Sequence, residues 1–102
     1  MHTVIREYSG RREYSGRGAK ELSDVLEKHK ADVEKLLRGV KGFVGYTLLR
    51  TADGVVSVTT CQDRTGTEES LKVARDWIAK NAATTGVGAP KVHEGSVILH
   101  LK

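Results

Sequence analysis

Few residues in this chain have side chains suited to chemistry, and they are scattered. The histidines are His2, His29, His93 and His100, and Cys61 is the only cysteine. There is no Gly-x-Ser-x-Gly, His-Glu-x-x-His, phosphate-loop or Cys-x-x-Cys motif. His29 falls between Leu26 and Val33 on an apolar helical stripe. An imidazole there is either a satisfied boundary residue or a pocket group that takes a proton from a phenol. Tyr46 and Trp77 offer flat apolar walls for a planar ligand, and aromatics at such spacings also serve as plain core. Cys61 alone reads as a small buried hydrophobe rather than a nucleophile.

The chain has 102 residues, a formal net charge of +4 and 38% hydrophobic residues. Its length fits one domain, spanning residues 1–102, with a modest core. No apolar run reaches the ~20 residues of a membrane-spanning helix, so no membrane partner is expected. A single cysteine allows no intrachain disulfide, and the N-terminal residues lack the apolar stretch of a secretory signal. Both point to a reducing, cytoplasmic setting.

The positive charge is concentrated near the N-terminus. Residues 6–20 carry five basic residues against Glu7 and Glu13. Within them a six-residue unit, Arg6-Glu7-Tyr8-Ser9-Gly10-Arg11, is repeated at once as residues 12–17. The duplication reads first as a lengthened turn after a strand. As a recognition arm it would offer Arg11, Arg12 and Arg17 to an anion. RNA binding ranks third among the functions weighed: the acidic residues dilute the arm, and the chain holds few aromatics for base stacking. Nucleic acid is not the expected partner.

The elements that must position these residues follow from periodicity. Thr3–Tyr8 reads as a strand. From Ala19 to Arg38, apolar residues recur at three- and four-residue steps, predicting one long helix that Gly39 ends. Residues 43–50 and 55–61 read as a hairpin around Asp53-Gly54. Thr65 and Glu68 fit a capping box opening a second helix, with Leu71, Ala74, Ile78 and Ala82 as its stripe. Val92–Leu101 closes the chain as a strand. The order β-α-β-β-α-β predicts an α+β, ferredoxin-like fold. It has a four-stranded antiparallel sheet in order 4-1-3-2 and two helices on one face.

That order would gather His2, Cys61 and His100 at one end of the sheet. These are the weak candidates for a metal site, but no fourth ligand is evident and no metal is expected. The strands also carry apolar residues on both parities. Val44, Tyr46 and Leu48 oppose Phe43 and Leu49, Val55 opposes Val56 and Val58, and Val97–Leu101 is apolar on both sides apart from His100. A soluble monomer rarely exposes such a face, so a homodimer through the open side of the sheet is expected.

Three stretches carry a family resemblance: Lys41-Gly42-Phe43-Val44-Gly45-Tyr46, the Asp53-Gly54 hairpin, and Thr59-Thr60-Cys61-Gln62-Asp63 leading to Thr67-Glu68-Glu69-Ser70. With the element order they resemble the dimeric α+β barrel proteins, and within these the antibiotic-biosynthesis-monooxygenase-type small domains. The resemblance implies a homodimer with a ligand pocket between helices and sheet. It also implies an activity like that of the cofactor-independent oxygenases, which act on phenols. On that reading His29 is the candidate catalytic residue and Tyr46 and Trp77 line the pocket. The ligand is a small aromatic molecule, and no cofactor is expected. The alternative is a non-catalytic dimeric module that binds a ligand or a protein. The haem-degrading members use a first-strand Asn that this chain lacks.

Overall fold

Val4, Arg6 and Tyr8 alternate with Ile5 and Glu7, and the first strand uses that period to send one set of side chains inward. In the computed structural model, which describes residues 1–9, 16–52, 54–81 and 90–101, this strand is β1 (His2–Ser9). It is followed by α1 (Gly16–Lys28), α2 (Lys30–Arg38), β2 (Phe43–Arg50), β3 (Gly54–Cys61), α3 (Arg64–Asn81) and β4 (Lys91–Ser96). The strands form one antiparallel sheet in order β2-β3-β1-β4, the expected 4-1-3-2 read from the other edge.

The predicted long helix is two helices with a break at His29. His29 has φ −110° and ψ 27°, outside the helical well, although its N–H still bonds the Val25 carbonyl at 3.0 Å. Apolar spacing runs through the break undisturbed, because both halves face the same core: Leu22 and Leu26 from α1, Val33 and Leu37 from α2. A bend of this kind lets a helix wrap a small core without changing its pattern. Arg50 ties α1 to β2, with its guanidinium on Ser23 and Asp24 at 2.8 Å each and on Glu27.

The start of α3 also differs from expectation. The cap is Asp63, whose Oδ1 accepts the Gly66 N–H at 3.2 Å, not Thr65. Glu68 pairs instead with Arg64, 3.3 Å away and one turn back. Gly66 is buried against β3: a methyl group there would lie 2.7 Å from Cys61 Cβ and 2.8 Å from the Lys41 carbonyl oxygen. The inner face of this first turn is made of Gly66, Thr67 and Ser70, which are all buried. Ala82 of the predicted stripe lies outside the described residues.

A register shift between Phe43 and Gly45 alters the parity of β2. The bulge sends Phe43 inward with Tyr46 and Leu48, so Phe43 packs on the core and does not join the outer face. Just before it, Gly42 adopts φ +77°, a conformation that favours glycine. By alternation the outer face holds Ile5, Val56, Val58 and Leu49 beside Thr3, Thr47 and Thr60.

The last strand is shorter than predicted. β4 ends at Ser96, and Val97 adds one further bond to the Met1 carbonyl at 2.9 Å. Beyond it Ile98, Leu99 and Leu101 are 98%, 76% and 81% exposed. The apolar run that reads as a strand has no neighbouring strand among the described residues. No helix among the described residues is long and apolar enough to cross a membrane.

Candidate functional site

The inward face of the sheet meets the helices around a narrow cavity. Its floor is Arg6 and Tyr8 from β1, Val55 and Ser57 from β3, and Tyr46 and Leu48 from β2. Its roof is Leu26 from α1, Val33, Leu36 and Leu37 from α2, and Ala74, Trp77 and Ile78 from α3. The register explains the floor: Arg6 and Leu48 both lie opposite Ser57, and Tyr8 lies opposite Val55. The space left for the centre of a water-sized group is about 20 Å³, room for about one water molecule. A wider open groove of about 450 Å³ lies outside, between α2 and β2. Val33, Leu37, Tyr46 and Leu48 line both spaces and form the wall between them.

Most of the lining is hydrocarbon, interrupted on the sheet side by Arg6, Ser57 and the Tyr8 and Tyr46 hydroxyls. Burial pushes the Tyr8 hydroxyl above its ordinary value, while the nearby Arg6 guanidinium pulls it back. Tyr46 is raised in the same way by burial, against the Arg6 charge and the Ser57 hydroxyl, which lower it. Both phenols therefore stay protonated at neutral pH and can donate hydrogen bonds. Arg6 itself is only 4% exposed, and its Nε–H has no acceptor. Thr59 Oγ1, on the same face of β3 as Ser57, is also buried without a partner.

Tyr46 and Trp77 both line this cavity. His29 does not line it. The bend between α1 and α2 places its ring edge-on to Trp77, 5.9 Å between centroids, and its Nδ1 lies 3.6 Å from Asp32 Oδ2. Arg11 and Arg12 lie outside the described residues; Arg17 belongs to α1, and its side chain lies outside them too. Arg6, Tyr8 and Ser57 are the site residues that the sequence reading missed. The signal was present in β1, where a charged residue occupies the core parity between Val4 and Tyr8.

His2 and Cys61 are brought together, directly opposite each other in the β1–β3 ladder. Both His2 ring nitrogens are engaged, Nδ1 with Thr67 Oγ1 at 2.7 Å and Nε2 with Glu94 at 3.4 Å. Cys61 is fully buried, and burial pushes its thiol up, away from the thiolate a metal would need. His100 lies beyond β4. Among the described residues no three His, Cys, Asp or Glu side chains converge as a metal site would require.

No protein-family model and no curated protein matches the chain. Solved structures do. A protein of unknown function from Nitrosomonas europaea superposes with a TM-score of 0.65 at 20% identity, covering 99% of this chain and 91% of that one. SnoaB, a cofactor-independent oxygenase from Streptomyces nogalater, gives 0.62 at 16% identity, covering 98% and 95%. A dimeric ferredoxin-like protein from an uncultured marine organism gives 0.62 at 11%, covering 99% and 95%. These likenesses extend over nearly the whole of each chain and agree with the strand order and the helix–sheet layering described above. The chain has a ferredoxin-like fold.

Proposed function

We propose that two copies of this chain form a homodimer, and that each helix–sheet cavity binds a small phenolic ligand and oxidises it without a cofactor. The observation that carries the reading is the cavity itself, with aromatic walls from Tyr46 and Trp77 and hydroxyl donors among its lining residues. Such a lining suits a flat ring with one polar edge. Ring-sized ligands need the half-buried Tyr46 or Leu48 side chain to swing aside and join the inner cavity to the outer groove. Rotamer changes of this size are common on binding. The likeness to a cofactor-independent oxygenase supports the same chemistry.

The reaction balances on substrate and dioxygen alone. A phenol with an open ring position plus O₂ gives a quinone plus water: the ring loses four electrons, and both oxygen atoms are reduced. One oxygen joins the ring carbon, and the other leaves as water with the displaced hydrogens. His29 enters as a positioning residue that holds the Trp77 ring, because it touches Trp77 and not the cavity.

The dimer is supported by the exposed Ile98, Leu99 and Leu101 and by the apolar stripe on the outer sheet face. A reducing, cytoplasmic setting fits the single free thiol. Oxygen uptake with a panel of electron-rich phenols tests the activity. Uptake with one oxygen atom from ¹⁸O₂ in the product supports it. Saturable binding with no uptake across the panel replaces it with the non-catalytic ligand-binding module.

A further inference from the structure

Arg6 is a strand residue whose charged side chain enters the core and finds no counter-charge there. Its Nε–H lacks an acceptor, and no carboxylate among the described residues pairs with it. Ser57, directly across the ladder, sets its buried hydroxyl beside the Tyr46 phenol. A buried guanidinium that meets only the neutral Tyr8 hydroxyl and no counter-charge is strongly unfavourable, so folds that keep one commonly supply an anion to it. Both groups border the same cavity, and its lining contains no carboxylate.

We infer that Arg6 and Ser57 form a receptor for the single oxyanion of an aromatic ligand, either an ionised phenol or an aryl carboxylate. This inference rests on the pocket reading above and names the charge state of its ligand. Three features select that chemistry. Every polar side chain of the lining, including the Tyr8 and Tyr46 hydroxyls, can donate a hydrogen bond and none is an anion, which calls for an acceptor. One buried cation balances one negative charge. The hydrocarbon that surrounds it requires the rest of the ligand to be apolar.

The assignment also gives Arg6 work in the proposed oxidation. Dioxygen reacts with the electron-rich phenolate and not with the neutral phenol. A guanidinium that favours the anion therefore raises the reactive fraction without a side-chain base in the cavity.

The test uses 4-nitrophenol, whose anion has its own visible absorption band, with 4-nitroanisole as its uncharged analogue. The intact protein is titrated with each across a pH series. The expected result is binding of 4-nitrophenol with its apparent pKa lowered by about one unit, a tenfold preference for the anion. Arg6→Met, checked for native circular dichroism, should lose that lowering and still bind 4-nitroanisole. If Arg6→Met fails to fold, Ser57→Ala serves, with an expected lowering smaller than that of the wild type. 4-Nitrobenzoate distinguishes the sources of the oxyanion: tighter binding than 4-nitrophenol assigns the site to a carboxylate, and weaker binding assigns it to a phenolate. Equal binding of 4-nitrophenol and 4-nitroanisole, with no lowering in the wild type, overturns the inference and leaves the pocket reading standing. A buried water would then be the partner of Arg6. No binding of any of the three compounds overturns the pocket reading itself.

Discussion

Gly66→Ala is a one-methyl test of how α3 is seated on the sheet. The added carbon would meet Cys61 Cβ at 2.7 Å and the Lys41 carbonyl oxygen at 2.8 Å. Carbon–carbon contacts are most favourable at about 3.5–4.0 Å, so the first turn of α3 must retreat by about 1 Å. Neither neighbour can yield cheaply, because one belongs to a central strand and the other is backbone. Overpacking of this kind costs about 1–3 kcal/mol, more where backbone must move, whereas Ala in place of Gly in a helix returns up to about 1 kcal/mol. The net expectation is a loss of about 1–3 kcal/mol, or roughly 5–15 °C in Tm for a domain of this size. The displacement would also stretch the 2.7 Å bond from Thr67 to His2, so hydrogen exchange should speed up in the first turn of α3 before it does elsewhere. Adding Cys61→Ala should restore little, since it removes Sγ at 3.1 Å but leaves Cβ and the carbonyl oxygen in place. Thermal melts decide the matter. An unchanged or raised Tm for Gly66→Ala would refute the close seating of α3 on β3.

Other expectations follow from the same packing. Leu22→Ala, at a fully buried position, should lose about 2–5 kcal/mol in urea unfolding. Asp63→Ala removes the cap of α3 and should lose about 1 kcal/mol in the same assay, whereas Thr65→Ala should change little. Burial raises Cys61, Tyr8 and Tyr46, favouring their neutral forms in the folded chain. Their contribution to stability is therefore complete at neutral pH. It is lost as pH rises beyond the unfolded values of about 8.5 for Cys and about 10 for Tyr. Alkaline melts should show that decline, and a flat profile from pH 8 to 11 (roughly the span of these groups) would contradict it. Native mass spectrometry should find a dimer of the 11.2 kDa chain, and truncation after Ser96 should shift it toward monomer.

The sequence makes legible whatever depends on period and turn chemistry. Alternation in β1 and β3, the helical steps of Leu22, Leu26, Val33 and Leu37, and the close succession of β2 and β3 together determine the sheet order; Asp53 of the expected turn lies outside the described residues. Three features are not local and escape such a reading. The bend at His29 leaves the apolar spacing intact, since both halves bury the same stripe. The bulge at Phe43 changes which parity faces inward, and no single residue announces it. The end of β4 depends on where β1 stops offering a neighbour, not on the strand-like composition of Val97–Leu101. Tyr46 and Trp77 are recognisable as residues of the helix–sheet seam because large aromatics there have few other places to go. Arg6 is harder to read. Its charge suggests a solvated arm, and only its parity with Val4 and Tyr8 places it inside.

Trp77 is the only tryptophan in the chain and lines the cavity, so its emission reports on that site alone. Titrating the intact protein with electron-rich phenols while following this emission tests most directly whether the cavity takes an aromatic ligand. The account predicts saturable quenching with one ligand bound per chain, abolished by bulk placed in the cavity through Ala74→Trp read by ligand absorbance. Emission that no phenol alters in a saturable way would contradict it.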